Sequence, residues 1–246
     1  MKKILLYTFF LLSICGQWQN VIGNPPLLRA CIDNNLPLAK YLLAHGEISS
    51  VNVGDKEYGC HPLHHACING NTELVELLLA NGASRSINVR DMCGRTPLYH
   101  ACTRGHTEIA KLLLANGAGK SINVQEGCIG STPLHAACSQ AMYSAKNEAL
   151  VKLLIEHGAF TNVQDKEGST PLHIACRRSY KQGAVVKHLI EHGASINTKN
   201  KYGNTPLDIA RYHGKTDLLE LLTKRKEQDE KKLQNLMNLL QNITDF

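Results

Sequence analysis

Residues 132–138 read TPLHAAC, and this pattern decides the fold because it recurs along the chain. Five related segments share its Pro-Leu step: PPLLRAC (25–31), HPLHHAC (61–67), TPLYHAC (96–102), TPLHIAC (170–176) and TPLDIAR (205–211). The six prolines are separated by 36, 35, 36, 38 and 35 residues. Self-similarity at such a period predicts a stack of supersecondary units that bury their apolar faces against one another.

A second, leucine-rich block follows each of the first five copies and ends in glycine. These blocks are YLLAHG (41–46), ELLLANG (76–82), KLLLANG (111–117), KLLIEHG (152–158) and KHLIEHG (187–193). Thr before Pro is typical of a helix start, since the hydroxyl caps a free N–H and Pro fits the first helical position. The closing Gly tolerates the left-handed conformation that ends a helix. Each unit is therefore predicted to hold two short helices, joined to the next unit by a β-hairpin finger.

The TPLH motifs (132–135 and 170–173), Gly105-His106 and the Leu-Leu-Leu blocks resemble those of ankyrin repeat proteins. The resemblance covers residues 24–226 and implies an all-α repeat solenoid, an ankyrin repeat stack of helix–turn–helix units with β-hairpin fingers. The expected divisions are a signal peptide (1–23), a degenerate first repeat (24–55), five further repeats (56–90, 91–126, 127–164, 165–199 and 200–226) and a C-terminal amphipathic capping helix (227–246). The ankyrin period is ~33 residues, so the longer copies here indicate insertions in loops.

The first 23 residues have the pattern of a secretory signal. Lys2 and Lys3 precede an apolar run over residues 4–15, and polar residues follow. A helix of that length reaches only ~18 Å, short of the ~30 Å hydrocarbon core of a bilayer. We therefore expect cleavage and a secreted or periplasmic protein. Two alternatives stay open: membrane attachment through a lipidated Cys15, since residues 12–15 resemble a lipoprotein box, and an uncleaved cytosolic chain.

The composition disfavours two classes of protein. Hydrophobic residues make up 43% and charged residues 20% of the 246 positions. These values are close to globular averages and argue against disorder. The net charge of +6 is too small for this length to indicate nucleic-acid binding. The sequence also contains no Gly-x-Ser-x-Gly, His-Glu-x-x-His or dinucleotide fingerprint. We therefore predict a protein without enzyme activity, cofactor or small-molecule substrate.

Five of the nine cysteines occupy one position of the repeat: Cys31, Cys67, Cys102, Cys138 and Cys176. Packed helices lie ~8–10 Å apart, whereas the Cα atoms of a disulfide lie within ~7 Å. These cysteines are therefore predicted to stay unpaired and to act as small apolar residues. Cys60, Cys93 and Cys128 fall near the finger ends, where they are expected to be free to react. Bridges from Cys93 to Cys60 or to Cys128 stay open for an exported protein.

Two motifs imitate ligand sites. Residues 60–67 read CHPLHHAC, which resembles a metal site, but its His64 and Cys67 are repeat positions. Residues 114–121 end in Gly-Lys-Ser like a phosphate-binding loop, but they follow a predicted helix rather than a strand. The repeat frame therefore favours neither a metal site nor a nucleotide site. The resemblance implies instead that the recurring His forms a hydrogen bond to the neighbouring finger.

Partners of ankyrin repeat proteins are bound by the fingertips and by the exposed face of the first helix, and the resemblance implies the same surface here. The positions chosen on that surface are Lys56, Tyr58, Met92, Arg95, Arg104, Gln140, Lys166, Arg177, Arg178, Lys201, Tyr202 and Tyr212. Arg and Lys make this surface positive, so we expect a protein partner with an acidic surface and the tyrosines as anchors. The predicted function is an exported protein–protein interaction module.

Residues 215–246 contain no Gly or Pro and predict helix. After a polar stretch over residues 223–232, apolar residues recur at helical spacing: Leu233, Leu236, Met237, Leu240 and Ile243. We expect this stripe to cover the open end of the repeat stack. The alternative is a docking helix, which would make the chain a regulatory or anchoring subunit of an enzyme complex.

Overall fold

The computed structural model describes residues 24–139, 144–177 and 183–244. All regular elements within these ranges are helical, which confirms the expected all-α repeat fold. The described residues form two compact units, which divide between residues 128 and 129. The predicted signal peptide (1–23) lies outside the described residues. None of the helices in the described part is both long and apolar enough to cross a bilayer.

The first unit contains three pairs of short helices. They are α1 (Pro26–Ile32) with α2 (Leu36–Ala44), α3 (Pro62–Asn69) with α4 (Thr72–Ala80), and α5 (Pro97–Arg104) with α6 (Thr107–Ala115). The first helices of successive pairs pack on one another, and so do the second helices, which gives two layers. One 3₁₀ turn follows each pair, at Glu47–Ser50, Ala83–Ser86 and Ala118–Ser121. The residues that lengthen these copies therefore form an extra turn behind the second helix.

The second unit repeats this arrangement with three more pairs. They are α7 (Pro133–Ser139) with α8 (Ser144–Glu156), α9 (Pro171–Arg177) with α10 (Gly183–Glu191), and α11 (Pro206–Tyr212) with α12 (Thr216–Thr244). Helices α7, α9 and α11 pack in one layer, and α8, α10 and α12 pack in the other. Both units are therefore built from the same helix–turn–helix repeat.

The predicted helix ends are formed by side chains and glycines. Thr96 caps α5, because its Oγ1 accepts a hydrogen bond from the Tyr99 N–H at 3.3 Å. Asn71 caps the second helix α4 in the same way, accepting from the Leu74 N–H at 3.0 Å. Gly82, just beyond the end of α4, has a φ of +94°, the left-handed region that favours glycine. The helix start predicted at Thr-Pro and the helix end predicted at Gly are confirmed at Thr96 and Gly82.

A recurring asparagine links successive repeats. The side-chain amides of Asn52 and Asn88 donate hydrogen bonds of 3.0 Å to the carbonyls of Gly82 and Gly117, in the next repeat of the first unit. In the second unit, Asn162 donates to the Gly193 carbonyl at 2.8 Å. The bonded carbonyl belongs to the glycine that ends the second helix, so each repeat satisfies an exposed backbone group of the next.

The core consists of leucine and small residues, as the scarcity of aromatics predicts. Leu98 and Leu113 are fully buried in the first unit, and Leu134, Leu154 and Leu172 are fully buried in the second. Each contributes about 1.5–3 kcal/mol relative to an exposed side chain. All five cysteines of the repeat column have no exposed surface and form no disulfide, which confirms their assignment as small apolar residues.

The prediction of β-hairpin fingers is wrong, since no strand forms among the described residues. The finger at Asp91 is a tight turn with two backbone bonds of 2.8 Å, from the Asp91 N–H to the Arg95 carbonyl and from the Gly94 N–H to the Asp91 carbonyl. The remaining turn amides are satisfied by a side chain, because Asp91 Oδ1 accepts hydrogen bonds from the Cys93 and Arg95 N–H groups. An aspartate that closes a turn in this way leaves no ladder for a strand.

The prediction that the apolar stripe at the C-terminus covers the end of the repeat stack is also wrong. Helix α12 packs on α10 and α11 through its first turns, where Leu218 and Leu222 are buried. The residues assigned to the cap are exposed instead: Leu233, Leu236, Met237 and Leu240 have 53–58% of their surface accessible. The polar stretch explains this difference, because eleven residues of helix place Leu233 ~17 Å along the axis from Leu222.

Candidate protein-binding surface

The fingertips are the residues at the exposed end of each turn: 56–58, 92–93, 127–129, 166–167 and 201–202. One backbone hydrogen bond joins each fingertip to the next within a unit. In the first unit, Met92 N–H donates to the Tyr58 carbonyl at 2.8 Å and Gly127 N–H donates to the Cys93 carbonyl at 2.7 Å. In the second, Lys166 N–H donates to the Ile129 carbonyl at 2.9 Å and Lys201 N–H to the Glu167 carbonyl at 3.0 Å. These bonds hold the fingertip backbone of each unit in one arrangement.

In the first unit, the fingertips expose two large apolar side chains. Tyr58 and Met92 are 57% and 69% exposed, and Lys56 beside them is also exposed. The hydrogen bond between their backbones places Tyr58 and Met92 on neighbouring fingers. The structure therefore brings together three of the residues predicted from the sequence.

Arg95 has a different position from its predicted neighbours. Its Nε lies 3.8 Å from the carboxylate of the buried Glu126, and its guanidinium lies 5.9 Å from the centre of the Tyr99 ring. The side chain is only half-buried, but both of its contacts are within the protein. Arg95 therefore connects its own finger to the next one.

In the second unit, Lys166, Lys201 and Tyr202 are exposed at neighbouring fingertips. The Tyr202 hydroxyl donates a hydrogen bond of 2.8 Å to Glu167 Oε2, which orients the ring. This bond to a carboxylate raises the pKa of Tyr202 above its ordinary value of 10. The tyrosine therefore stays neutral and can present both an apolar ring and a polar end.

Ile129 is a fingertip residue that the sequence analysis missed. Its side chain is 55% exposed. A signal was present, because Ile129 precedes Gly130 as Tyr58 precedes Gly59 and as Tyr202 precedes Gly203. The residue before the finger glycine is thus a repeated place for an exposed apolar side chain.

The other predicted residues lie at the ends of the first helices. Arg104 closes α5, Arg177 closes α9 and Tyr212 closes α11, and all three are exposed. Because the fingers precede these helices, the three residues are at the opposite helix end from the fingertips. Gln140 and Arg178 lie outside the described residues.

The recurring histidines have a structural role, because both of their ring nitrogens form hydrogen bonds within the protein. His64, His135 and His173 are almost completely buried, with 0–2% of their surface exposed. In each, Nδ1 accepts the backbone N–H three residues earlier, and Nε2 lies 3.0–3.1 Å from a carbonyl of the next finger. This confirms the predicted hydrogen bond to the neighbouring finger.

The three cysteines outside the column differ from one another. Cys60 is 5% exposed and its thiol faces Asp91 Oδ2 at 3.9 Å, so the expectation that it is free to react is wrong. Cys93 is half-buried and Cys128 is exposed, and their thiols are within hydrogen-bonding reach of each other. Neither forms a disulfide in this structure.

Around Cys60, titratable side chains from two repeats converge. Asp55, Cys60 and His65 form one group whose ligand atoms all lie within 4.8 Å of one another, and Cys60, Asp91 and His100 form another. His65 Nε2 lies 3.1 Å from Asp55 Oδ2, and His100 Nε2 lies 2.8 Å from Asp91 Oδ2. The motif at residues 60–67 contains Cys60 and His65, but the convergence with Asp91 and His100 depends on packing between repeats.

Two ankyrin repeat profiles match the chain: "Ankyrin repeats (3 copies)" over residues 139–234 and "Ankyrin repeats (many copies)" over 27–79 and 63–114. An ankyrin repeat protein of Escherichia coli (strain K12), YahD, is 41% identical over 54 residues, which is 22% of this chain and 27% of that protein. An ankyrin repeat protein of Rickettsia bellii (strain RML369-C) is 46% identical over 50 residues, 20% of this chain and 19% of the relative.

The matched stretches thus span about a quarter and a fifth of these relatives, and the two profiles together cover most of the described helices. The recurring motifs, the two layers of paired helices and the buried histidines agree with those matches. The chain belongs to the ankyrin repeat family, and its repeats form a protein–protein interaction module.

Proposed function

We propose that this protein is an exported module that binds a protein partner with an acidic surface through its fingertips and the ends of its first helices. The observation that carries the proposal is the pairing of exposed Tyr202 with Lys166 and Lys201 on fingertips whose backbones are hydrogen-bonded. A partner would meet a backbone already held in one arrangement, so little conformational entropy would be lost on binding.

The chemistry of the fingertips favours a protein partner. Tyrosine supplies a large contact area with few rotatable bonds and is enriched among residues that dominate binding energy. Lys166 and Lys201 lie at the same fingertips as Tyr202, and Glu167 opposes one of their two charges. The remaining positive charge favours a partner with carboxylates opposite it. Tyr58, Met92 and Lys56 supply the same combination in the first unit.

Export is supported by the N-terminal pattern alone, in which Lys2 and Lys3 precede the apolar residues 4–15. The intact mass of the chain recovered from the producing cells and from their medium tests this part of the proposal. A shortened chain in the medium would support export, and a full-length chain confined to the cells would contradict it.

The binding surface is tested with the combined variant Lys166→Glu, Lys201→Glu and Tyr202→Ala. Proteins captured by the wild-type chain from the medium and from an extract of the producing cells are identified by mass spectrometry and then titrated individually. We expect the variant to bind the captured partner at least ~10-fold more weakly, since it reverses two charges and removes an aromatic anchor.

A matched control carries the same chemical changes away from the fingertips. Lys152→Glu, Lys187→Glu and Phe160→Ala alter exposed residues on or after the second helices α8 and α10. The two lysines form only exposed i,i+4 pairs with Glu156 and Glu191, whose loss costs little. Equal binding by the fingertip variant and the wild type, or equal weakening by the control, would contradict the proposed surface.

A second candidate function is docking through the C-terminal helix to an enzyme, as a regulatory or anchoring subunit. The observation that favours it is the exposed apolar stripe of Leu233, Leu236, Met237 and Leu240 on α12. A row of large apolar side chains that is exposed along one helix is suited to helix-in-groove recognition.

Removal of residues 231–246 separates docking from folding. All side chains described between 231 and 241 are exposed, so we expect the free energy of unfolding to change by less than ~0.5 kcal/mol. Loss of a captured enzyme with unchanged unfolding would support docking through this helix. An unfolded or strongly destabilised chain would show that the segment serves the fold instead.

A further inference from the structure

Five side chains under the fingertips of the second and third repeats carry chemistry that protein binding does not use. We name them the Cys60 cluster: Asp55, Cys60, His65, Asp91 and His100. The three members Asp55, Cys60 and Asp91 have only 5–8% of their surface exposed, and the two histidines are half-buried. All five belong to the first compact unit.

The cluster contains the donor atoms of a transition-metal site. Cys60 Sγ lies 3.9 Å from Asp91 Oδ2, and the same oxygen lies 2.8 Å from His100 Nε2. Ligand atoms of a tetrahedral zinc site lie about 3.3–3.5 Å apart when the bonds are ~2.0–2.3 Å. These two separations are therefore within about half an ångström of those in such a site, and the third, between Cys60 Sγ and His100 Nε2, is below 4.8 Å.

The backbone already orients the carboxylate of this group. Asp91 Oδ1 accepts hydrogen bonds from the Cys93 N–H at 2.9 Å and from the Arg95 N–H at 2.8 Å. The other oxygen, Oδ2, is thereby directed at Cys60 and His100. Ligands that are held by hydrogen bonds in this way lose less entropy when a metal binds.

The equivalent contact between the next two fingers has a cation beside the buried acid, and Asp91 has a thiol in that place. Arg95 occupies the position after the finger glycine in its repeat, as Cys60 does in the preceding one, and it faces the buried Glu126. A cation thus meets the acid of the next finger at the Arg95 contact, whereas a thiol meets Asp91 at the Cys60 contact. A bound divalent ion would supply the missing positive charge and offset the cost of burying the carboxylates.

The later repeats lack these ligands. Ser131 and Ser169 stand in the position of Cys60, and Ala136 and Ile174 stand in the position of His100. Within the described residues, the two overlapping groups that share Cys60 are the ones whose ligand atoms converge. The set is therefore a departure from the repeat pattern and is confined to one place in the chain.

We propose that Cys60, Asp91 and His100 bind one zinc ion, which links the second finger to the third repeat. The combination of thiolate, imidazole and carboxylate favours zinc over calcium or magnesium, which prefer oxygen ligands. Three protein ligands leave one position of the tetrahedron for water. Asp55 and His65 contact each other beside the site, with His65 Nε2 3.1 Å from Asp55 Oδ2.

The test uses Co²⁺ as a spectroscopic probe for zinc. The full chain carries Cys93→Ser and Cys128→Ser, which removes the two accessible thiols of the fingertips, and it is stripped with a chelator under reducing conditions. We expect one equivalent of Co²⁺ to produce visible absorption of a tetrahedral site together with a thiolate-to-cobalt charge-transfer band. One equivalent of Zn²⁺ should abolish both signals and raise the thermal unfolding midpoint.

Two substitutions and one matched control locate the ligands. Cys60→Ser should abolish the charge-transfer band, and His100→Ala should weaken metal affinity by ~10–100-fold or more. His65→Ala, which changes the corresponding residue of the other group, should alter affinity by less than ~3-fold if the assignment is right. Circular dichroism of each variant shows whether it retains helix content, so a loss of binding in a folded variant is interpretable.

Three results would overturn the proposal. The first is the absence of tetrahedral Co²⁺ absorption in the folded, reduced protein at micromolar metal. The second is a charge-transfer band that persists in Cys60→Ser, which would place the thiolate elsewhere. The third is loss of the metal in His65→Ala with retention in His100→Ala, which would assign the ion to Asp55, Cys60 and His65 instead.

Discussion

Replacement of His135 by leucine is expected to cost about 2–4 kcal/mol of unfolding free energy at neutral pH, because buried partners would be left without hydrogen bonds. His135 is 1% exposed. Its Nδ1 accepts the Thr132 N–H at 3.2 Å and the Thr132 hydroxyl at 2.8 Å, and its Nε2 donates to the Ser169 carbonyl at 3.0 Å. Leucine fills a similar volume but can form none of these bonds.

The same hydrogen bonds make the contribution of His135 depend on pH. Burial lowers the pKa of this imidazole below its ordinary value of 6.5, and the opposing charge of Asp165 does not offset the effect. The nearby His173 lowers the pKa further. The unfolded chain therefore takes up the proton first as the pH falls. The stabilisation is complete above about pH 6.5 and is lost as the pH falls through the folded value.

Denaturant unfolding at about pH 7.5 and about pH 5 checks both statements. The difference in stability between wild type and His135→Leu should be large at the higher pH and smaller at the lower one. His157→Leu is the control, since its Nδ1 bonds only to the Leu153 carbonyl of its own helix and the side chain is exposed. A gap between wild type and His135→Leu that does not change with pH would contradict the titration.

The layers and the core could be predicted because they follow from periodicity. Residues that repeat at the same position meet the same environment, so the cysteine column and the recurring His were assigned correctly from position alone. The helix starts and ends were equally local, since Thr-Pro and Gly act through their own backbone neighbours. These features need no knowledge of how one repeat packs on the next.

The prediction of β-hairpins in the fingers was wrong because a side chain takes the place of a strand partner in the hydrogen bonding. An acidic residue or Asn opens every finger from the second repeat onward, and Asp91 and Asp165 each satisfy two turn amides with one carboxylate oxygen. Aspartate at the start of a glycine-containing turn is a recognised signal for this geometry.

The accessibility of Cys60 was predicted wrongly for a different reason. The residues that surround its thiol come from another repeat. Asp91 and His100 lie 31 and 40 positions further along, and each is unremarkable within its own copy. A pattern read copy by copy describes what repeats, whereas a site formed between two copies depends on residues that differ. The same limit applies to the contact of Arg95 with the buried Glu126 of the next finger, which neither copy shows by itself.

Substitution of Gly94 by alanine is expected to destabilise the first unit by about 3 kcal/mol or more, by two separate effects. Gly94 has a φ of +76°, which costs an L-residue roughly 1–2 kcal/mol. An added Cβ would also lie 2.8 Å from the backbone nitrogen of Gly127 and 2.9 Å from Arg90 Nη2. The arginine end can move, but Gly127 N–H is the donor to the Cys93 carbonyl that joins two fingertips.

Gly105→Ala separates the two effects. Gly105 has a φ of +71°, close to that of Gly94, but a Cβ there would meet no heavy atom within 4 Å. We expect a cost of roughly 1–2 kcal/mol for this control, from backbone strain alone. Chelator-treated samples of both variants are compared by denaturant unfolding, and hydrogen exchange of the Gly127 amide reports the fingertip bond directly. Faster exchange is expected in Gly94→Ala, because the bond to Cys93 must lengthen. Equal costs for the two substitutions, with unchanged protection of the Gly127 amide, would contradict this prediction. The fingertip backbone would then tolerate the added Cβ, and it would not be held in the single arrangement that we propose for partner binding.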